Sequence, residues 1–191
     1  MRWLPALFAI VLASCASGPD ILERADDLND KPDWATVSKP SYENDGKRYF
    51  VGFVELDAES SPSGALNMAD EKALSEPMRS LVDQFLDQNQ VGENLRKDAS
   101  VGSRIISATR GFRAPMPGLT IVNRYWEVAQ LDPRNTVLRA FSLAEIPAGD
   151  YEKAKRDYLE RLAGNSEMKN ILREVGRRQR DNILSRRDGD G

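Results

Sequence analysis

The N-terminus limits what this chain can fold into more than any other segment. It indicates where the folded domain can begin and which interactions can stabilise it. One basic residue, Arg2, precedes an apolar run at positions 4–13. That layout is typical of a secretory signal peptide, and the run is shorter than the roughly 20 apolar residues that a membrane-spanning helix needs. Cys15 follows closely and is the only cysteine. No intramolecular disulfide can therefore brace the fold, which must rely on a hydrophobic core.

The residues around Cys15 resemble the lipobox of bacterial lipoproteins, in which Leu and two small residues precede a cysteine. Here they are Leu12, Ala13, Ser14 and Cys15. The resemblance implies cleavage before Cys15, a thioether to diacylglycerol and acylation, for example with palmitate, of the new amino group. Two or more acyl chains hold a protein firmly on a membrane. An incidental thiol in an ordinary signal peptide is the alternative.

Ala16 follows the cysteine, where an Asp would favour retention at the inner membrane. We therefore expect an outer-membrane location, with the rest of the chain at the periplasmic face or the cell surface. The expected partners are the membrane, through the lipid, and an envelope protein. This compartment excludes nucleic acid as a partner, and the sequence leaves the oligomeric state open.

Histidine is absent from the chain. Its absence excludes the Ser-His-Asp triad, Cys-His pairs and most zinc sites. An enzyme would have to use other groups, and a cell-wall hydrolase would use two carboxylates. The candidates are Glu55, Asp57, Asp70 and Glu127. Solvated charges at strand ends and helix surfaces explain them equally simply, and no motif indicates a metal or cofactor, so we predict a non-enzymatic protein without either.

Composition divides the chain into four segments. Residues 1–14 form the predicted signal peptide, and residues 15–45 the lipidated N-terminus and a flexible tether that is rich in Gly, Pro, Asp and Asn. Residues 46–163 form an α+β domain. Residues 164–191 form a basic amphipathic helix and tail.

Strand patterns occupy three parts of the domain. Residues 48–56 are rich in aromatic and β-branched side chains, and Gly52 in their middle indicates a bulge or a close backbone approach. Residues 119–129 and 136–143 are separated by the turn residues 132–135, which predicts an antiparallel hairpin.

Helical spacing of apolar residues fills the remainder. One helix begins after Ser61, and Pro77 should kink or split it, with Ser75 capping the second piece. Further helices are predicted at 95–109 and 151–163, before the C-terminal one. The order predicts an α+β fold: a three-stranded antiparallel sheet, two to three helices on one face and a C-terminal helical extension.

Several short motifs occur in an order typical of one family. They are the lipobox cysteine, Pro32-Asp33-Trp34, Tyr49-Phe50-Val51-Gly52, Ala65, Ala69 and Ala73, then 117–122, Tyr125-Trp126-Glu127 and Tyr151. Across about residues 30 to 163 the chain resembles the bacterial surface lipoproteins named after a twenty-kilodalton lipoprotein antigen, which include flagellum-associated outer-membrane lipoproteins. The resemblance implies an envelope lipoprotein and carries over no catalytic residue. Residues 87–112 depart from it, because a strand often follows the first helix in the family.

Six residues are candidates for contact with a partner: Trp34, Tyr125, Trp126, Arg177, Arg178 and Arg180. Trp34 either stacks on a ligand or caps the edge of the core. Tyr125 and Trp126 are adjacent on a strand, so one should be core and the other partly exposed. The arginines either bind an acidic protein, an anionic lipid or a cell-wall polymer, or belong to a solvated helix.

These observations together predict a non-catalytic interaction or assembly module in the cell envelope. Two alternatives stay open. One is a cell-wall (peptidoglycan) hydrolase that uses carboxylates. The other is a periplasmic domain that binds a small ligand in a groove between the sheet and the helices.

Overall fold

A computed structural model describes residues 19–25, 30–110 and 116–188. The predicted signal peptide and the predicted lipidation site at Cys15 lie outside the described residues. The fold is α+β, as predicted. No helix within these ranges is both long enough and apolar enough to cross a bilayer.

A five-stranded antiparallel sheet forms the centre of the fold, and its strand order is β1-β4-β5-β3-β2. The strands are β1 (Asp20–Arg24), β2 (Ser41–Asn44), β3 (Lys47–Asp57), β4 (Thr120–Asp132) and β5 (Asn135–Pro147). Strands β3, β4 and β5 are the three that the sequence predicts, and β4 and β5 form the predicted hairpin.

The prediction of only three strands is wrong, because β1 and β2 form the two edges of the sheet. Both lie within residues 15–45, the predicted tether. Their side chains are mostly exposed or half-buried. An edge strand is held largely by backbone hydrogen bonds to its one neighbour, so it needs little apolar sequence of its own.

Five helices lie within the described ranges: α1 (Pro62–Gln88), α2 (Glu93–Lys97), α3 (Ala99–Thr109), α4 (Ala148–Gly164) and α5 (Ser166–Asp188). Helices α1 and α4 lie on one face of the sheet, whereas α2, α3 and α5 contact mainly other helices. Helix α1 lies against the central strands with the small residues Ala65, Ala69 and Ala73 fully buried. A Cβ atom added to Gly52 of β3 would lie 2.0 Å from the Ala69 carbonyl oxygen. The close backbone approach predicted at Gly52 is therefore confirmed.

Helix α1 continues across Pro77 as one element, so the predicted split at this residue is wrong. Ser75 does not cap a second helix, because its hydroxyl donates to the Lys72 carbonyl oxygen. Pro77 lacks an amide hydrogen, which costs the helix one backbone hydrogen bond. It is buried on the same face of α1 as Ala73 and Leu81, one turn away on either side. Burial of its ring offsets part of that cost.

The main core lies between the sheet and the helices. Strands β3 and β5 contribute Phe50, Ala144 and Ile146 to it. Helix α5 contributes Met168 and Ile171, which are fully buried. The predicted C-terminal extension therefore packs into the main core through its N-terminal half.

The opposite face of the sheet is covered by residues 30–40, which we call the N-terminal strap. Trp34 and Ala35 of the strap pack over a second apolar cluster that includes Val51, Tyr125 and Phe141. Both faces of the central strands are thus buried. This explains why the hairpin sequence carries large apolar groups on both sides.

Candidate functional site

Glu127 of β4 is a buried carboxylate on the strap-covered face, with 1 % of its surface exposed. Tyr125 donates a hydrogen bond to it from the phenol at 2.9 Å, because residues two apart on a strand share a face. Lys31 of the strap donates to its other oxygen at 2.8 Å. A guanidinium nitrogen of Arg139 of β5 lies 4.0 Å from the carboxylate oxygen that Lys31 contacts. Two cations and a phenol therefore compensate the burial of this charge.

Tyr125 is a core residue and the hydrogen-bond donor of this network. Burial raises the pKa of its phenol strongly above 10.0, and the hydrogen bond to Glu127 raises that pKa further. The phenol consequently stays protonated near neutral pH. Trp126 is only partly buried, so the prediction of one core ring and one partly exposed ring is confirmed.

A pocket of about 410 Å³ opens between the strap and the sheet. Its walls include Lys31, Val37, Phe53, Glu55, Arg139 and Phe141. The Lys31 ammonium nitrogen lies 4.2 Å from the centroid of the Phe141 ring, within the range of a cation–π interaction. Arg139 donates to Glu55 at 2.9 Å. The pocket thus combines aromatic walls with two basic side chains that each donate a hydrogen bond to a glutamate.

Asp70 of α1 forms a separate polar group on the helix-covered face. It accepts a bidentate pair of hydrogen bonds from Arg124 of β4, from Nε to Oδ1 at 3.1 Å and from Nη2 to Oδ2 at 2.7 Å. The buried Ser142 hydroxyl of β5 donates to it at 2.5 Å. This group fastens α1 to the sheet.

The sheet separates the carboxylates that a hydrolase could use. Asp70 lies on one face, whereas Glu55 and Glu127 lie on the other beside Arg139. Asp57 is exposed at the end of β3. Three of the four candidates accept hydrogen bonds from cationic side chains that also hold the fold together.

Helices α3 and α5 enclose a basic pocket, a cleft of about 690 Å³ that we call the basic cleft. Its lining consists of Arg104, Asn170, Arg173, Glu174, Gly176, Arg177 and Arg180. Arg104 comes from α3 and the other residues come from α5. Four guanidinium groups therefore line it with one carboxylate.

Arg104 is held in place by two acidic residues of α5. It donates to Glu167 at 2.7 Å and to Glu174 at 2.5 Å. Glu174 also accepts from Arg178 at 2.6 Å. The hydrogen bond from Arg104, followed by that from Arg178, holds the pKa of Glu174 below 4.5. Glu174 is therefore ionised at neutral pH, and its hydrogen bonds hold both arginines in place.

Arg173, Arg177 and Arg180 are exposed. Their spacing of four and then three residues places them on one side of α5, together with Asn170. Among the side chains that the structure describes, none forms an ion pair with these three arginines. Within the described part of the chain, this side of the cleft is therefore a row of three positive charges without an ion-pair partner.

The structure separates the six predicted contact residues. Tyr125 is buried, and Trp34 and Trp126 are half-buried against the sheet. Arg178 is engaged with Glu174 and lies 3.8 Å from Asp98. Only Arg177 and Arg180 come together at an exposed site.

Sequence reasoning missed two of the four arginines of the basic cleft. Arg173 could have been found, because it precedes Arg177 by one helical turn. Arg104 belongs to another helix, and no local signal connects it with α5.

Within the described ranges, no group of three or more Cys, Asp or Glu residues is arranged to hold a metal ion. The chain has no significant match among protein-family models, curated proteins or solved structures.

Proposed function

We propose that this chain is a lipid-anchored outer-membrane lipoprotein that acts as a non-catalytic interaction or assembly module in the cell envelope. The signal-peptide layout and the lipobox at Cys15 support the anchor, and Ala16 supports the outer membrane. The motifs between residues 30 and 163 support kinship with the surface lipoproteins named above.

The basic cleft is the observation that carries the proposed interaction. Arg173, Arg177 and Arg180 are exposed, lie on one side of α5 and have no ion-pair partner among the described side chains. Clusters of like charge raise the local concentration and the association rate of an oppositely charged partner. We infer that the partner offers an acidic surface to this cleft.

The placement of the carboxylates supports a non-catalytic role. Glu55, Asp70 and Glu127 accept hydrogen bonds from Arg139, Arg124 and Lys31, respectively. A glycoside hydrolase needs two carboxyl groups on either side of one substrate cleft. Here Asp70 is separated by the sheet from the other two, and those two share contact with one arginine.

Co-purification from solubilised membranes with the lipid anchor intact tests this proposal. The wild-type chain should retain an envelope component at low salt, and the triple variant Arg173→Gln/Arg177→Gln/Arg180→Gln should lose it. Arg134→Gln changes an exposed arginine in the β4–β5 turn and should retain it. Equal recovery with the wild type and the triple variant would refute the basic cleft as the interaction surface.

Zymography on peptidoglycan tests the alternative of a cell-wall hydrolase. We expect no clearing band from the purified chain. A clearing band that disappears in Glu55→Gln or Asp70→Asn would show that the chain is an enzyme and not a non-catalytic interaction module.

A second candidate function is small-ligand binding in the pocket beneath the strap. The pocket of about 410 Å³ favours it, because Phe53 and Phe141 offer apolar walls beside Lys31 and Arg139. It lies on the strap-covered face, whereas the sequence led us to expect a groove between the sheet and the helices. A ligand bound there should raise the melting temperature of the wild type more than that of Phe53→Ala.

A further inference from the structure

The basic cleft has a shape and a composition that restrict its ligand beyond general acidity. All four of its cationic residues are arginines, namely Arg104, Arg173, Arg177 and Arg180. A guanidinium group is a planar fork that donates two parallel hydrogen bonds to a phosphate or a carboxylate, whereas an ammonium group acts as a point charge. The cleft is thus equipped for directional binding of oxyanions.

The charge density of the cleft favours phosphate over carboxylate. Arg173, Arg177 and Arg180 present three positive charges along one side of a single helix, and none of them forms an ion pair with a described side chain. A phosphate group carries up to about two negative charges on three oxygens, while an acidic side chain carries one. Fewer phosphates than side-chain carboxylates are needed to neutralise the three arginines.

The length of the stripe favours a ligand with more than one phosphate group. Arg173 and Arg180 are seven residues apart, which corresponds to a rise of about 10 Å along α5. Arg104 faces this stripe from α3 and is already oriented by Glu167 and Glu174. A ligand with a second phosphate spaced along α5 can contact the arginines at both ends of the stripe at once.

We propose that the basic cleft is a binding site for a ligand with at least two neighbouring phosphate groups, either in a soluble polyphosphate or in adjacent headgroups at an anionic membrane surface. This proposal rests on the proposed function, because it names the chemistry of the partner that the interaction module recognises. The side chain of Arg104, which is already oriented, contacts the ligand from α3. The exposed arginines of α5 donate hydrogen bonds to its phosphates.

Gly176 provides a substitution that changes the cleft without disturbing the fold. It lines the cleft between Arg173 and Arg177, and a Cβ atom added to it would meet no atom within 4 Å. Gly176→Glu places a carboxylate within one turn of Arg173 and Arg180 and should neutralise the stripe. Gly176→Ala leaves the charge unchanged and is the matched control, since Ala suits a helix at least as well as Gly.

The experiment uses the chain from residue 16 to residue 191, which keeps every described strand and helix and removes the lipid. Titration calorimetry measures binding of inorganic tripolyphosphate, orthophosphate and poly-glutamate at one ionic strength. Flotation measures binding to vesicles of phosphatidylglycerol and phosphatidylcholine, with pure phosphatidylcholine vesicles for comparison. Circular dichroism verifies that all variants are folded.

We expect the wild type and Gly176→Ala to bind tripolyphosphate, anionic vesicles or both, and Gly176→Glu to bind about tenfold more weakly, the change expected from the loss of one charge-assisted hydrogen bond. Binding to vesicles alone identifies lipid headgroups as the source of phosphate, and binding to tripolyphosphate identifies a soluble one. Three results would overturn the proposal: no binding to either, undiminished binding by Gly176→Glu, or poly-glutamate binding as tight as that of tripolyphosphate. If neither tripolyphosphate nor anionic vesicles bind while the triple arginine variant still loses its envelope partner, only the phosphate site is wrong and the proposed function stands.

Discussion

Lys31 and Glu127 form an ion pair of 2.8 Å that joins the N-terminal strap to the middle of the sheet across 96 residues of sequence. The carboxylate is fully buried, whereas the ammonium group is partly exposed at the mouth of the pocket. This pair therefore fastens the strap to the sheet.

Substitution of Lys31 should destabilise the fold through the charge it leaves behind. We expect Lys31→Met to lower the free energy of unfolding by about 2 kcal/mol, because the buried Glu127 carboxylate loses the cation that donates a hydrogen bond to it. Urea denaturation measures the change, with Lys39→Met at an exposed strap position as the control. The double variant Lys31→Met/Glu127→Gln should lose less than the sum of the single losses. Strict additivity would show that the two residues do not interact.

Gly52 should tolerate no side chain, because it lies against the backbone of α1. A Cβ atom there would lie 2.0 Å from the Ala69 carbonyl oxygen and 2.5 Å from the Ala73 amide nitrogen. Gly52→Ala should therefore push α1 off the sheet and cost about 3 kcal/mol, at the upper end of overpacking effects. Gly149→Ala has open space around the new Cβ and serves as the control in thermal denaturation. Equal melting temperatures for both variants would contradict this packing.

Asp70 should stabilise the fold through the hydrogen bonds that it accepts from Ser142 and Arg124. Asp70→Ala leaves the buried Ser142 hydroxyl without its acceptor and should cost about 2 kcal/mol of unfolding free energy. Asp70→Asn should cost less, because its amide oxygen can still accept from Ser142. Asp57→Ala, at the exposed end of β3, should change stability little. An equal loss of unfolding free energy in Asp57→Ala and Asp70→Ala would contradict a stabilising role for the contact between Asp70 and Ser142.

Acid should weaken the attachment of α5 to α3. Hydrogen bonds from Arg104 and Arg178 hold the pKa of Glu174 below 4.5 in the folded chain. The stability from this shift is therefore present above pH 4.5 and is lost as the pH falls through the folded pKa. Unfolding free energies measured between pH 6 and pH 3 should fall less steeply in Arg104→Gln than in the wild type. Arg134→Gln should keep the wild-type slope, and an unchanged slope in Arg104→Gln would contradict the assignment.

Local sequence patterns predicted the elements that carry their own apolar signal. Strand β3 and the β4–β5 hairpin are aromatic and β-branched, so their type and pairing were evident. Strands β1 and β2 were missed, because their residues are mostly polar. They are held in the strand conformation by pairing with the edges of the sheet. The burial of Pro77 within α1 is likewise a tertiary effect, which overrides the usual role of proline as a helix breaker.

The candidate sites were predictable only where one helix or strand contains all the partners. Arg177 and Arg180 were found from the charge of their helix, and the alternation of Tyr125 and Trp126 from strand periodicity. The contacts of Arg104 with Glu167 and of Lys31 with Glu127 join residues that are 63 and 96 positions apart. Pairings of this kind depend on the packing of separate elements, which periodicity within one element does not encode.

Fatty-acid labelling in cells tests the central claim, that lipid on Cys15 anchors the chain, most directly. The wild type should incorporate labelled palmitate and migrate as a processed, membrane-bound form. Cys15→Ser should incorporate none and should accumulate as the uncleaved precursor. Label on the Cys15→Ser chain, or an unlabelled wild type, would contradict the account of this protein as a lipid-anchored module.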